Sequence, residues 1–240
     1  MKKYTLILLL VMSNIIFAED NKKQAKPEDK PTASIDCADA DNCFTTAEEL
    51  IKNNDFKQAA TYLQENCETN THGKSCTELA ELFFDAKLGA QDIQKAKKYH
   101  QIGCNSSSLK SCFTLGTWYE EGNIEGIVKN ISQAKEFYNL SCEKDYGDAC
   151  WKIGTFWETG VNKVQGQKTP DRAEHLFRKS CKFNSAQGCF SYAKILEEGL
   201  YGASRDRNEA LTLYQQSCSL GLKEACEYAD VLQETINNKQ

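Results

Sequence analysis

Residues 132–160 read SQAKEFYNLSCEKDYGDACWKIGTFWETG. Within them Cys142 and Cys150 stand with seven residues between them. Two cysteines this close suit a metal site, a redox pair, an activated thiol or a covalent staple. The choice turns on recurrence. The pairs Cys67/Cys76, Cys104/Cys112, Cys181/Cys189 and Cys218/Cys226 repeat the spacing, the first with eight intervening residues. The leading cysteines advance by 37, 38, 39 and 37 residues, the period of a helical-pair array.

The register extends beyond cysteine. Eight residues before each leading Cys stands an alanine: Ala59, Ala96, Ala134, Ala173 and Ala210. Three and four residues on come Tyr62/Leu63, Tyr99/His100, Phe137/Tyr138, Leu176/Phe177 and Leu213/Tyr214. With the Cys at +8, these positions make one helix face. Asp55, Asp92, Asn130, Thr169 and Asp206 precede the alanines by four and suit N-caps. Pro170 follows Thr169 where a first-turn proline loses no helical bond. Gln58, Gln133 and Glu209 are placed to close capping boxes. Each unit thus opens with a helix of about three turns ending near its leading Cys.

A second helix is expected to start at the trailing Cys. Leu79, Leu115, Ile153 and Tyr192 sit at +3 from it; Ala80, Gly116, Gly154 and Ala193 at +4. Gly122, Gly160 and Gly199 end the helix where a left-handed residue is needed. Glycine inside a helix costs about 1 kcal/mol against alanine, so Gly116 and Gly154 point to close approach by a neighbouring helix. Trp118, Trp151 and Trp157 fall at core positions. Cys43 begins FTTAEEL as Cys112 begins FTLGTWY, so Cys37 and Cys43 open a shortened leading unit. The last unit carries Gln233 where its predecessors are apolar, as a solvent-facing cap requires.

These signals predict an all-α fold, an α/α solenoid of antiparallel helix pairs. The units are 36–52 (half-repeat cap), 53–91, 92–129, 130–168, 169–205 and 206–240 with its C-terminal cap. Ahead of them MKKY and the apolar run TLILLLVMSNIIF, closing at Ala18, have the layout of a secretory signal peptide over 1–18. Residues 19–35, charged and with two prolines, read as a flexible linker. Export to a secreted or periplasmic location makes lasting disulfides reasonable. Twelve cysteines can pair in about ten thousand ways, so composition alone fixes no connectivity. The two cysteines of each pair meet at a helical corner, however, where a short link suits a staple worth about 2–3 kcal/mol.

The alanine, the paired aromatics, the LG-type second helix and the closing glycine resemble the Sel1-like repeat, a relative of the tetratricopeptide repeat. With their paired cysteines, residues 132–160 and NEALTLYQQSCSLGLKEACEYA (208–229) resemble the secreted cysteine-rich Sel1-like proteins of Helicobacter and related bacteria. The resemblance covers about residues 37–236. It implies a disulfide within each pair: Cys37–Cys43, Cys67–Cys76, Cys104–Cys112, Cys142–Cys150, Cys181–Cys189 and Cys218–Cys226. Some members are described as penicillin-binding proteins with weak β-lactamase activity, others as engaging host cells. No active-site residue carries over.

Local motifs add little chemistry. S-x-x-K occurs at Ser107–Lys110, Ser132–Lys135 and Ser191–Lys194, in three different repeat positions, without S-D-N or K-T-G. His72, His100 and His175 lie in three units and no C-x-x-C occurs, so no metal or cofactor is expected. His100 takes the place of Tyr138 and Tyr214 in the packing. Net charge −5 with mixed signs argues against a nucleic-acid partner. Five residues beyond each repeat alanine runs a polar ladder, Gln64, Gln101, Asn139, Arg178 and Gln215, whose amides can hold a peptide backbone. The expected function is an exported, disulfide-stabilised scaffold for a protein, a peptide or a cell-wall component. Its partner would be a host or envelope component or a peptidoglycan fragment, with no membrane span after processing. The alternative is a β-lactam-binding protein with weak hydrolase activity.

Overall fold

The computed structural model describes residues 37–161 and 170–238. The expected signal peptide and linker, and Thr169, lie outside the described residues. A lone helix α1 (Ala40–Lys52) is followed by five pairs. These are α2 (Phe56–Thr69) with α3 (Gly73–Phe84), α4 (Ile93–Asn105) with α5 (Leu109–Glu121), and α6 (Ile131–Glu143) with α7 (Gly147–Thr159). The last are α8 (Pro170–Lys182) with α9 (Ala186–Glu198), and α10 (Arg207–Ser219) with α11 (Lys223–Asn237). Among the described residues there is no strand, and the fold is an all-α solenoid.

In four of the five pairs the first helix starts where its cap predicts. The Gln58, Lys95, Gln133 and Glu209 N–H groups donate to the side chains of Asp55, Asp92, Asn130 and Asp206 at 2.9–3.2 Å. The expected capping boxes do not form at Asp55, Asn130 and Asp206. Their own N–H groups, and that of Asp92, donate instead to Leu50, Tyr119, Leu196 and Phe83 carbonyls of the preceding helix. One bond thus satisfies a cap donor and a helix-end acceptor at once, leaving Gln58, Gln133 and Glu209 nothing to close.

The second helices begin three residues before the trailing Cys, earlier than expected. The reason is a corner of three residues whose middle member is left-handed each time: Thr71, Ser107, Asp145, Asn184 and Gly221. The corner's third residue then donates back to the residue before the leading Cys, as Tyr146 N–H does to the Ser141 carbonyl at 3.0 Å. His72, Ser108 and Ser185 cap α3, α5 and α9 through their side chains. Gly122, Gly160 and Gly199 end α5, α7 and α9 in left-handed geometry, whereas α3 ends at Asp85 with left-handed Ala86.

Packing between units follows one column. Leu63, His100, Tyr138, Phe177 and Tyr214, from consecutive first helices, are each at most 1 % exposed. The preceding helices carry a small buried residue at the matching register: Ala47, Ala80, Gly116, Gly154 and Ala193. A Cβ on Gly116 would stand 2.6 Å from Tyr138 Cε1, and one on Gly154 2.6 Å from Phe177 Cε1. The two glycines therefore give their rings room, as the sequence implied. Of the three tryptophans only Trp118 is core. Trp151 and Trp157 are half-buried; Trp151 Nε1 donates to Ser191 Oγ at 3.1 Å, and the Arg172 guanidinium lies 4.7 Å from the Trp157 ring. Gln233 is exposed on the terminal helix.

Disulfides join Cys37–Cys43, Cys67–Cys76, Cys104–Cys112, Cys142–Cys150, Cys181–Cys189 and Cys218–Cys226, with Cα separations of 4.3–5.2 Å. Five of them close the corner inside one helix pair, and no free cysteine remains among the described residues.

Candidate binding surface

The side chains at the corners and in the packing column are spent on architecture. The residue before each leading Cys is buried and, where it has a side chain, reaches the first carbonyl of the preceding second helix. Asn66 Nδ2 donates to Ala40 O (2.8 Å), Ser141 Oγ to Leu109 O (3.2 Å), Ser180 Oγ to Gly147 O and Ser217 Oγ to Ala186 O (both 2.7 Å). At Gly103 this donor is missing, and Thr77 Oγ1 bonds Gly73 O instead at 2.9 Å. Thr77 also meets Ser108 and Ser111 at 2.6 and 2.7 Å. This relay between units escaped the sequence reading. The paired residues before the two cysteines, such as Ser180/Gly188 and Gly103/Ser111, were its visible trace.

Aromatic hydroxyls add a second set of ties. Tyr138 donates to Glu120 Oε2 at 2.6 Å and Tyr214 to Glu197 Oε2 at 2.9 Å. Burial, followed by the carboxylate bond, pushes both phenols above their ordinary range. Lys152 Nζ closes the first of these by donating to Glu120 at 2.8 Å. His100 replaces tyrosine in the column, as expected, but has no such carboxylate. Its Nδ1 lies 3.2 Å from Ser111 Oγ, and Nε2 is buried without a hydrogen-bond partner. Burial, with Lys110 adding to it, pushes the imidazole down to about 4.

The three S-x-x-K pairs are not built as nucleophile and base. Ser107 Oγ accepts from Lys144, while Lys110 pairs with Glu78 and Glu81. Ser191 accepts from Trp151, and Lys194 Nζ lies over the Phe190 and Tyr228 rings. Ser132 is exposed, and no hydrogen bond joins it to Lys135.

The ladder stands apart from all of this. Gln64, Gln101, Asn139, Arg178 and Gln215 are each exposed, one on each of α2, α4, α6, α8 and α10. No hydrogen bond joins one ladder side chain to the next. Gln64 shares its amide with Glu68, and Arg178 reaches the Tyr192 hydroxyl. Beside Arg178 lies a cavity of about 450 Å³ lined by Asp145, His175, Arg178, Lys179, Lys182 and Phe183. His175 was weighed in the sequence only as a metal ligand, and Lys179 and Lys182 were not singled out. Their spacing with Arg178, at i, i+3, i+4 and i+7, is a helical stripe that could have revealed them.

Matches to the Sel1 repeat cover residues 73–108, 109–146, 147–182 and 186–222, more than half of the sequence. The chain belongs to the Sel1 repeat family. Among curated proteins, it is 26% identical over 197 residues to cytochrome c oxidase assembly factor 7 of Xenopus tropicalis, spanning 79% of this chain and 67% of that protein. Among solved structures, the Sel1 repeat protein of Oxalobacter formigenes superposes with a TM-score of 0.66 at 17% identity, over 78% of this chain and 73% of the other. That likeness shows the Sel1 fold. Cysteine rich protein B of Helicobacter pylori is 28% identical over 56% of this chain and 92% of its own, with a TM-score of 0.41.

Proposed function

We propose that this Sel1 repeat protein is an exported, disulfide-clamped scaffold that binds a protein or peptide along its first-helix face. One observation carries the reading: five consecutive first helices each expose the same register position, and four of the five residues there are amides. Elsewhere the units spend their polar groups on each other. Sel1 repeats generally mediate protein–protein interaction. The relative named as an assembly factor fits a role of holding another protein. Six disulfides suit a secreted or periplasmic compartment, where thiols are not kept reduced. Among the described residues no helix is long and apolar enough to cross a membrane. No observation favours the β-lactam-hydrolysing alternative, since none of the three serines has its lysine as a partner.

The test is to pan a peptide library against the oxidised protein and measure the recovered peptides by calorimetry. The triple variant Gln101→Ala/Asn139→Ala/Gln215→Ala is expected to weaken them about tenfold or more, two to three lost amide bonds each being worth about 0.5–1.5 kcal/mol. Its melting temperature should be unchanged. Peptides held equally well by the variant refute the ladder assignment. No enrichment over an unrelated disulfide-bonded protein refutes peptide binding itself.

A further inference from the structure

The ladder changes chemistry at α8. Four first helices offer an amide at this register, and α8 offers Arg178, flanked on the same stripe by His175, Lys179 and Lys182. With Asp145 and Phe183 these residues line the 450 Å³ cavity, where the only carboxylate belongs to Asp145. That carboxylate is already committed. Lys179 Nζ sits 3.1 Å from Asp145 Oδ1 and donates to the Cys142 carbonyl at 2.7 Å, which fixes it against the neighbouring corner. Arg178 and Lys182 have no carboxylate partner among the described residues. Lys182 Nζ lies over the Phe183 ring at 5.7 Å, and Arg178 reaches the Tyr192 hydroxyl, with Glu174 and Glu209 near that hydroxyl but neither in an ion pair with Arg178. Both side chains are exposed. In a chain of net charge −5, two cations without an ion-pair partner lining one cavity are a feature that the fold itself does not use.

We propose that this cavity receives the carboxylates of an acidic peptide segment of the partner, an inference that rests on the peptide-binding reading above. A guanidinium matches a carboxylate with two parallel N–H donors, and the Lys182 ammonium adds a point charge beside it. Contacts tie α8 to the units on both sides. Lys179 reaches the corner after α6, and Cys181 Sγ lies 3.7 Å from Gln216 Oε1 on α10. Asn139 and Gln215, on those two flanking helices, then supply amides for the backbone on either side of the charged residue. A free inorganic anion would use the cations and leave those amides idle. Nucleic acid is disfavoured by the overall negative charge, which repels phosphates beyond the patch.

The test is fluorescence anisotropy at low salt with a fluorescein-labelled hexaglutamate peptide, with hexaglutamine as the uncharged control. The oxidised full chain is expected to bind hexaglutamate at least about tenfold more tightly than hexaglutamine. Arg178→Gln/Lys182→Gln should remove about that tenfold with an unchanged circular-dichroism melt, while Lys223→Gln on α11 should change it less than about twofold. Equal binding of the two peptides, or full retention by the double variant, overturns the proposal. Complete displacement by millimolar inorganic phosphate also overturns it, because the site would then take any small anion. The two readings fail separately. Should hexaglutamate fail while library peptides still lose affinity in the amide triple variant, the acidic specificity falls and peptide binding stands.

Discussion

Acidifying the protein is expected to destabilise it in large part through His100, and His100→Phe should abolish that component. His100 is fully buried, edge-on to Trp118 at a ring separation of 5.1 Å, with Nε2 unpartnered. Its pKa falls from an ordinary 6.5 to about 4 because the charged ring would be stripped of water, with Lys110 opposing the charge further. The unfolded chain therefore binds a proton between these values that the folded chain refuses, so stability falls as pH falls through that window. At about 1.4 kcal/mol per unit, the loss between pH 7 and pH 4.5 is about 2–3 kcal/mol. Phenylalanine already fills the same column at Phe177, so His100→Phe removes the titration; Ala80 stands where Phe177 has Gly154, and any packing change enters as a pH-independent offset that the difference cancels. Urea unfolding followed by tryptophan fluorescence and circular dichroism at both pH values gives the difference directly. Carboxylate titrations common to both proteins cancel. Parallel pH profiles for wild type and variant would refute the buried, neutral imidazole.

Two further substitutions probe the junctions. Gly154→Ala gains about 1 kcal/mol of helix propensity but drives a Cβ to 2.6 Å from Phe177, an overpacking cost of about 1–3 kcal/mol, so net destabilisation is expected in urea melts. Equal or greater stability would show that the ring moves freely. Ser180→Ala removes the 2.7 Å bond to Gly147 O and should cost about 1 kcal/mol in the same assay. Glycine at 188 should stay irreplaceable by alanine even in that background, since a Cβ there would still stand 2.5 Å from the residue-180 Cβ and 2.9 Å from Cys181 N.

What could be read in advance follows from the range of each interaction. Caps, the alanine column and the terminal glycines are local, and a repeated period multiplies each weak signal by the number of units. Asp92 and Asn130 therefore mark helix starts within one residue. The failed capping boxes show the limit. Whether Gln133 closes on Asn130 depends on a competing carbonyl, that of Tyr119, delivered by the preceding helix. Likewise the second helices start early because a left-handed residue such as Asp145 tightens a three-residue corner, and aspartate seldom announces that geometry as glycine does. The ladder was legible because exposure at +5 follows from helical phase. The cavity beside Arg178 was not, since Asp145 and its lysine come together only when two units stack.

The placement of the disulfides explains why the His100 junction is the one to watch. Five of the bonds close inside a helix pair, so none ties one pair to the next, and stacking must be held by side chains alone. At the other junctions between pairs a serine reaches across to a carbonyl, and at two of them a tyrosine also reaches a glutamate. The α3–α4 contact has neither, and the one tyrosine–glutamate bond between these two pairs, Tyr99 to Glu68 at 2.9 Å, runs from α4 to α2 instead. Gly103 stands where the serine would be, and Phe84 stands where Glu120 and Glu197 receive their tyrosines. The Thr77, Ser108 and Ser111 hydroxyls fill part of the gap, and the imidazole is bonded on one side only. Protonation thus acts at the one helix contact between pairs that lacks both the serine and the column tyrosine. Hydrogen exchange at pH 4.5 should show amides of α3 and α4 losing protection before those of α7 and α8. The reverse order would mean that the corner staples, rather than the contacts between units, set local stability.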